Sequence, residues 1–234
     1  MKPRTLLIDI ETFPHIGFFW GGMYEQNIIK LIERGYILCY SYKWFNEKKI
    51  KFVRVKGRDY KRFLKTIWNL LNKADIVIGQ NSDNFDIRHI NAELIINGFK
   101  PPSPYKTIDT YKISKKFKLP SHKLDDMAFL FGFGRKKPHH GFKTWEGCKA
   151  NDPKAWREMR EYNIHDVWLL DKVYRVFQGW ANPPKFYHKD LSCPIPTCQS
   201  KHFQSRGVQT NASGKKYHKF QCQDCGKWFS IIIK

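Results

Sequence analysis

The sequence contains no long hydrophobic run. No apolar stretch approaches the roughly 20 residues that an α-helix needs to span a bilayer, so we expect no membrane-spanning segment. Asp9 and Glu11 interrupt the only early apolar segment, and the sequence therefore predicts no signal peptide and a cytoplasmic location. Because that compartment is reducing, the six cysteines are expected to be thiols or metal ligands.

Acidic residues are only half as numerous as basic ones. The 234 residues include 42 Lys and Arg against 21 Asp and Glu, a formal net charge of +21. Aromatic residues make up 16% of the chain, so both phosphates and bases of a partner could be bound. This composition predicts a nucleic-acid partner. A membrane surface is the less favoured alternative, because the sequence has no basic amphipathic helix with a clean apolar face.

Apolar segments with strand and helix periodicity alternate along the first 177 residues. Strands are predicted at 4–10, 36–45, 50–55, 76–79 and 105–110, and helices at 59–73, 85–97, 124–131 and 153–177. The segment 13–20 contains Pro14 and Gly17 and is expected to be a loop. Strands that alternate with helices, followed by a helical end, indicate an α/β layered domain.

Two carboxylates lie two residues apart in the first predicted strand. Asp9 and Glu11 would project from one face of that strand, because side chains i and i+2 share a face. Two adjacent carboxylates repel each other unless a cation lies between them, and hard divalent cations bind carboxylate oxygens. The alternative is a solvated acidic face on an edge strand.

Further acids occur near the predicted ends of elements. Asp86 is expected in the first turn of a helix that follows a buried strand, where α/β sites collect. The alternative is a carboxylate that only stabilises the helix dipole. Tyr162 and Asp166 are four residues apart and share one face of the long predicted helix, although Tyr162 alone would fit core packing. Asp109 is expected to be a supporting acid or a turn residue.

These residues, in their order and spacing, resemble the three motifs of the DEDD 3′–5′ exonuclease superfamily. The matching motifs are Asp9-x-Glu11, Asn81-x-x-x-Phe85-Asp86 and Tyr162-x-x-x-Asp166. Because Tyr162 lies four residues before Asp166, the third motif resembles that of the tyrosine branch, which includes the proofreading domains of family-B DNA polymerases. The resemblance covers about residues 4–177. It implies a ribonuclease-H-like α/β fold with a mixed sheet flanked by helices. One departure is Gln80, where the family usually has histidine.

The resemblance also implies a function, metal-dependent 3′–5′ exonuclease activity by two-metal hydrolysis. Four carboxylates would hold two Mg²⁺ or Mn²⁺ ions: Asp9, Glu11, Asp86 and Asp166. Tyr162 would orient the attacking water, and Asn81 would contact the strand. Thr12 would approach the terminal nucleotide through its backbone, and Phe13 would stack on it.

DNA is the favoured substrate and RNA the alternative, and a role beside replication or repair proteins of a phage or bacterium would suit the chain. Two other functions stay open. One is a structure-specific endonuclease of the same fold, and the other is a non-catalytic nucleic-acid-binding module. A basic cluster, Arg135, Lys136 and Lys137, precedes the third motif and is predicted to contact substrate. The alternative for this cluster is ordinary solvated surface.

Four of the cysteines follow a change of composition near residue 180. They form two close pairs: Cys193-x4-Cys198 and Cys222-x2-Cys225. This pattern predicts a four-cysteine zinc ribbon with one structural Zn²⁺. Disulfides are the alternative, and His188, His202 and His218 are alternative ligands.

Pro183 and Pro184 suggest a linker between two domains, 1–182 and 186–234. The segment 222–229, Cys-x-x-Cys-Gly-Lys-Trp-Phe, resembles zinc ribbons of transposase-associated proteins, which contact DNA. The ribbon is therefore predicted to contact nucleic acid, with protein docking as the alternative.

Overall fold

The structure is a computed structural model that describes residues 3–21, 28–57, 59–181, 191–210, 214 and 216–232. Its strands are β1 (Thr5–Phe13), β2 (Ile16–Phe19), β3 (Ile28–Glu33), β4 (Tyr36–Trp44), β5 (Lys51–Arg54), β6 (Ile76–Gly79), β7 (Lys106–Asp109), β8 (Phe203–Thr210), β9 (Lys216–Cys222) and β10 (Trp228–Ile232). Its helices are α1 (Tyr60–Lys73), α2 (Asp86–Ile96), α3 (Thr110–Ser114), α4 (Leu124–Leu130), α5 (Phe142–Lys149) and α6 (Pro153–Phe177).

Five strands form a mixed sheet in the order β5-β4-β1-β6-β7. β4 is antiparallel to both β1 and β5, whereas β6 is parallel to both β1 and β7. The predicted mixed sheet is confirmed. Because β1 lies third in the order and pairs on both sides, it is not the edge strand of the alternative interpretation.

Helices cover both faces of this sheet. Leu6, Ile8 and Ile10 of β1 pack with buried residues of α1 and α2. Leu7, whose side chain points the other way, packs with buried residues of α4 and α6. Because side chains alternate along a strand, Asp9 and Glu11 project from the Leu7 face, toward α6.

The long helix α6 begins and ends where the sequence predicts. Asp152 caps it by accepting a hydrogen bond from the backbone N–H of Lys154 at 2.9 Å. Pro153 occupies the first helical position, where its missing N–H leaves no partner unsatisfied. Buried side chains recur along one face of the 25-residue helix, so one rigid element carries both Tyr162 and Asp166 over the sheet.

The strands β2 and β3 form a separate hairpin that the sequence analysis missed. We expected a loop over 13–20 because Pro14 and Gly17 are typical of turns, and that prediction is wrong for β2. Gly17 instead allows close pairing, since a Cβ there would lie 2.8 Å from the carbonyl oxygen of Lys30. Large apolar side chains of both hairpin strands are exposed. The helices α3 and α5 were likewise not predicted.

Residues 191–232 contribute a small antiparallel sheet in the order β10-β9-β8. This unit contacts the end of α6: the hydroxyls of Tyr174 and Thr197 lie 3.1 Å apart, and Lys227 Nζ donates to the carbonyl oxygen of Ala181 at 2.7 Å. The predicted linker, the boundary between 1–182 and 186–234, and His188 all fall within 182–190, outside the described residues. No helix in the described ranges is both long and apolar enough to cross a bilayer.

Candidate functional site

Carboxylates from two elements, β1 and α6, meet on the α6 side of the sheet. Ligand oxygens of Asp9, Glu11 and Asp166 lie within 4.8 Å of one another. Asp86, the first residue of α2, is 4% exposed, and its Oδ1 accepts a hydrogen bond from the Ile10 backbone N–H at 3.0 Å. Three of the four predicted carboxylates therefore form a close group, and Asp86 is held beside it against β1. We call Asp9, Glu11, Asp86 and Asp166 the acid cluster.

The central sheet is irregular next to the acid cluster. Glu11 pairs with Cys39 of β4, but Thr12 pairs with Ile37, so Leu38 is an extra residue in β4. Such a β-bulge bends the strand and changes where nearby side chains point, and bulges are frequent next to active sites. The regular strand pairing is thus interrupted directly after Glu11.

Asn163 is a site residue that the sequence analysis missed. Its side chain is fully buried, and Nδ2 donates to Asp9 Oδ2 at 2.6 Å and to the Asp9 carbonyl oxygen at 3.3 Å. A charge-assisted bond of this length fixes the carboxylate in one orientation. The spacing in the sequence could have indicated this role, because Asn163 lies three residues before Asp166 and residues at that spacing share a helix face.

The buried surroundings of the acid cluster disfavour the negative charge of its carboxylates. Burial, together with repulsion from Asp166, Asp86 and Glu11, raises the pKa of Asp9 well above its usual value. Burial is also the main cause that raises the pKa of Glu11 to about 8 and that of Asp86 to about 7. In the absence of further positive charge, protons would therefore compete for these carboxylates at neutral pH.

Lys136 supplies one positive charge from the loop that follows α4. Its Nζ donates to Asp166 Oδ2 at 2.6 Å and to the Tyr162 hydroxyl at 3.1 Å. Burial acts to lower the pKa of this ammonium, but attraction to Asp166, Tyr162 and Asp9 outweighs it, so the pKa is raised. Lys136, one of the predicted substrate contacts, therefore lies directly at the acids.

Tyr162 lies one turn before Asp166 on α6. Its ring packs edge-on against His139 at 4.8 Å and Trp145 at 6.2 Å between centroids. Burial is the main cause that raises the pKa of its phenol. The hydroxyl therefore stays protonated at neutral pH and can donate a hydrogen bond beside the acid cluster.

A cleft of about 670 Å³ opens from Asp9. Asn81 lines it in a left-handed backbone conformation with φ of +55°, and its N–H donates to Asp109 Oδ1 at 2.8 Å. Asp109 thus supports the cleft wall, as predicted. Gln80, the departure from the family motif, donates to the His122 carbonyl oxygen at 2.9 Å and serves to hold the same wall.

The prediction for Phe13 requires correction. Its ring is 4% exposed and packs against Tyr36 at 5.9 Å and Phe142 at 6.1 Å, so it is not accessible for stacking on a nucleotide. The sequence predicts a loop that begins at Phe13, whereas Phe13 ends β1 and packs against α5. Phe142, which is 53% exposed, is the accessible ring here. Thr12 is half-buried.

The other two members of the predicted basic cluster differ in their surroundings. Arg135 is paired with Asp125 at 2.9 Å and Asp126 at 2.7 Å, so α4 neutralises its charge away from the acid cluster. The predicted contact of Arg135 with substrate stays a prediction. Lys137 is exposed and forms no ion pair with any residue that the structure describes.

The acid cluster fits divalent cations on the chemistry of its own atoms. Hard cations bind carboxylate oxygens, and a bound cation would favour the ionised forms of Asp9 and Glu11, whose pKa values burial raises. Oδ1 of Asp166 is buried and has no hydrogen-bond partner among the described residues, an arrangement that costs free energy unless a ligand binds it. The residues that would hold Mg²⁺ or Mn²⁺ are therefore Asp9, Glu11, Asp86 and Asp166.

The four carboxy-terminal cysteines form a second candidate metal site. The Sγ atoms of Cys193 and Cys225 lie 3.5 Å apart and those of Cys198 and Cys222 lie 3.7 Å apart. All four are free thiols within 4.8 Å of one another. A tetrahedral zinc with bonds of about 2.3 Å separates its sulfurs by about 3.8 Å, so the set fits zinc and not disulfides.

The histidines proposed as alternative zinc ligands are engaged elsewhere in the described structure. His202 Nδ1 lies 3.1 Å from Asp224, and His218 Nε2 lies 2.7 Å from the Ser205 hydroxyl. The cysteine set is therefore complete without them.

Comparison with known families assigns the main domain. Residues 27–178 match the RNase_H_2 profile, which is described as RNase_H superfamily. The chain belongs to the RNase H superfamily. The predicted ribonuclease-H-like fold is confirmed. Asp86, Tyr162 and Asp166 lie within the matched residues, whereas Asp9 and Glu11 precede them.

Among solved structures, this RNase H superfamily member has a relative with the same fold. It is similar to a family B DNA polymerase from the hyperthermophilic archaeon Pyrobaculum calidifontis, with a TM-score of 0.57 and 18% sequence identity. The similarity covers 75% of this chain and 25% of the polymerase chain, and it shows a shared fold. No curated protein matches the sequence.

Proposed function

We propose that the protein is a metal-dependent 3′–5′ exonuclease of the DEDD superfamily, tyrosine branch, that hydrolyses nucleic acid, DNA in the first place. One observation carries the proposal. Tyr162 and Asp166 project from one helix onto Asp9 and Glu11, with oxygens of the three acids within 4.8 Å. A role beside replication or repair proteins of a phage or bacterium suits this activity.

Each residue of the site has a chemical role in this proposal. Two Mg²⁺ or Mn²⁺ ions bound by the acid cluster would neutralise charge on the phosphate and help to ionise the attacking water. Tyr162, protonated and held beside Asp166, donates a hydrogen bond that orients this water for in-line attack. Asn163 holds Asp9 in the binding orientation, and Lys136 contacts the scissile phosphate.

The strand end enters along the cleft that opens from Asp9. Asn81 contacts the strand from the cleft wall, and Thr12 contacts the terminal nucleotide through its backbone. Phe142, not Phe13, offers an exposed ring for a base. Lys137 adds an exposed positive charge near the same loop. Such contacts fix position without reading sequence.

The carboxy-terminal unit binds one structural Zn²⁺ in this proposal and provides a second contact with nucleic acid. Arg206 lies 5.4 Å from the ring of Trp228, which is 52% exposed. A cation beside an exposed aromatic ring suits the backbone and the bases of one strand. The division into 1–182 and 186–234 remains part of the proposal.

The test compares linear and covalently closed single strands, in DNA and RNA versions, with Mg²⁺, with Mn²⁺ and with neither cation. A strand labelled at its 3′ end is expected to release a labelled mononucleotide at once, and a strand labelled at its 5′ end to shorten stepwise. Both reactions should require the cation, and the circle should resist. Cleavage of the circle would instead identify an endonuclease, and binding without any cleavage would identify a binding module.

A further inference from the structure

A second, strongly basic groove lies at the β5 edge of the sheet. It has a volume of about 840 Å³ between β5 and the amino-terminal parts of α1 and α6. Five cationic side chains line it: Arg54, Lys56, Arg62, Arg157 and Arg160. Among the described lining residues the single acid is Asp59, whose carboxylate is engaged in capping α1 through the Arg62 backbone N–H at 2.9 Å.

The five cations of this groove, which we call the β5 groove, carry uncompensated charge. None of them forms an ion pair with an acid in the part of the chain that the structure describes. Elsewhere in the molecule Arg34 is paired with Glu93, and Arg135 with two aspartates. Like charges gathered without counter-charges repel one another, so the β5 groove favours an anionic ligand.

Aromatic packing fixes the centre of the β5 groove. The guanidinium of Arg54 lies over the ring of Trp156 at 4.6 Å, and Phe52 packs edge-on against the same ring at 6.5 Å. Trp156 is buried. Arg54 is therefore held in place at the floor before any ligand binds, which lowers the entropy cost of binding.

The β5 groove lies close to the acid cluster. Arg54 pairs with Cys39 of β4, and Cys39 pairs with Glu11 of β1, so the three residues lie in one row across the sheet. Neighbouring strands are about 4.8 Å apart, which places Arg54 roughly 10 Å from Glu11 along the sheet. That distance is short enough for one strand to reach both the acid cluster and the β5 groove.

We propose that the β5 groove binds the phosphodiester backbone of the nucleic acid whose end lies at the acid cluster. The inference rests on the proposed nucleic-acid partner, but it does not require that the partner be cleaved. A backbone fits better than a single nucleotide. The cations come from three separate elements, β5, α1 and α6, and five positive charges exceed what one phosphate group can bind.

The experiment measures binding of the full chain to a fluorescein-labelled single-stranded DNA by anisotropy. Mg²⁺ and Mn²⁺ are left out so that cleavage cannot occur, and no chelator is added, so that the four-cysteine unit keeps its zinc. The test variant is Arg62→Gln with Arg160→Gln, two exposed residues on opposite walls. The matched control is Lys48→Gln with Lys73→Gln, which removes the same charge from exposed positions outside the groove. If the protein binds DNA as expected but cleaves nothing, the exonuclease proposal is contradicted and the proposal for the β5 groove still holds.

The affinity falls as salt rises, and each phosphate contact with a single strand contributes about 0.7 to the steepness of log affinity against log salt. Loss of two contacts should therefore reduce that steepness by about 1.4. If the two proteins bind equally at about 1 M salt, this change of slope corresponds to roughly 25-fold weaker binding at about 0.1 M salt. The control should keep the wild-type slope. Arg62→Lys with Arg160→Lys, which preserves both charges, should bind like the wild type and thereby exclude misfolding as the cause.

Two results would overturn the inference. One is an equal loss of affinity in the test variant and the control, since net charge alone would then explain binding. The other is displacement of the labelled DNA by a mononucleotide at equal concentration, since the groove would then be a nucleotide pocket.

Discussion

Replacement of Asn163 by leucine tests how the acid cluster is held. Leucine is close to asparagine in size but removes the bond of 2.6 Å that Nδ2 donates to Asp9 Oδ2. A hydrogen bond to a charged group contributes about 1.5–3 kcal/mol. If this contribution is needed in the transition state, the cleavage rate should fall by roughly 10-fold to 150-fold, since about 1.4 kcal/mol corresponds to a factor of ten.

The assay measures release of nucleotides from a 3′-labelled strand over a series of Mn²⁺ concentrations. The Asn163→Leu variant should need more Mn²⁺ for half-maximal rate, because ligands that lose a supporting hydrogen bond bind metal more weakly. Asn163→Asp, which adds a further carboxylate, should lose more activity than Asn163→Leu. Wild-type rates and Mn²⁺ dependence in both variants would refute the positioning role.

Three further results are expected. Because the pKa of Glu11 is raised to about 8 and that of Asp86 to about 7, the folded metal-free protein binds more protons than the unfolded chain. Its melting temperature should therefore fall as pH rises from about 4.5 to about 8, and Mg²⁺ should restore it; a flat profile would contradict the raised pKa values. Gly179→Ala should lower the free energy of unfolding by about 1–3 kcal/mol, because the added Cβ would overlap the carbonyl oxygen of Cys225; an unchanged denaturant midpoint would argue against this packing. Chelation of zinc should abolish amide protection in β8–β10 but not in β1, since the described apolar side chains buried in this unit, apart from the cysteines, are few: Ile195 and Phe220; protection that survives chelation would show that this unit folds without metal.

Helices with one apolar face were predictable, and the hairpin was not. The spacing of apolar residues gave α1 and α6 within about one residue at each end, because a single buried stripe determines their packing. The β2–β3 hairpin has no buried face, so its apolar residues carry no burial pattern to read. Pro14 and Gly17 then indicated a loop, although Gly17 serves the close approach of two strands.

The acid cluster was predictable because each acid lies in a motif of fixed spacing. The position of Lys136 at the acids and the existence of the β5 groove were not predictable, and the reason is the same for both. Lys136 reaches Asp166 only because its loop folds back onto α6, 30 residues later in the chain. The β5 groove combines side chains from β5, α1 and α6, which are distant in sequence. Positions set by long-range packing leave no periodic signal in the sequence.

The central claim is that the acid cluster binds the cations for cleavage at a 3′ end. The most direct measurement compares Mg²⁺-dependent nucleotide release by the wild type with that by a purified Asp9→Ala, Asp166→Ala double variant. Cations at such sites supply several kcal/mol of charge stabilisation, so the variant should lose about 1,000-fold or more in rate. Equal release by the two proteins would contradict the claim.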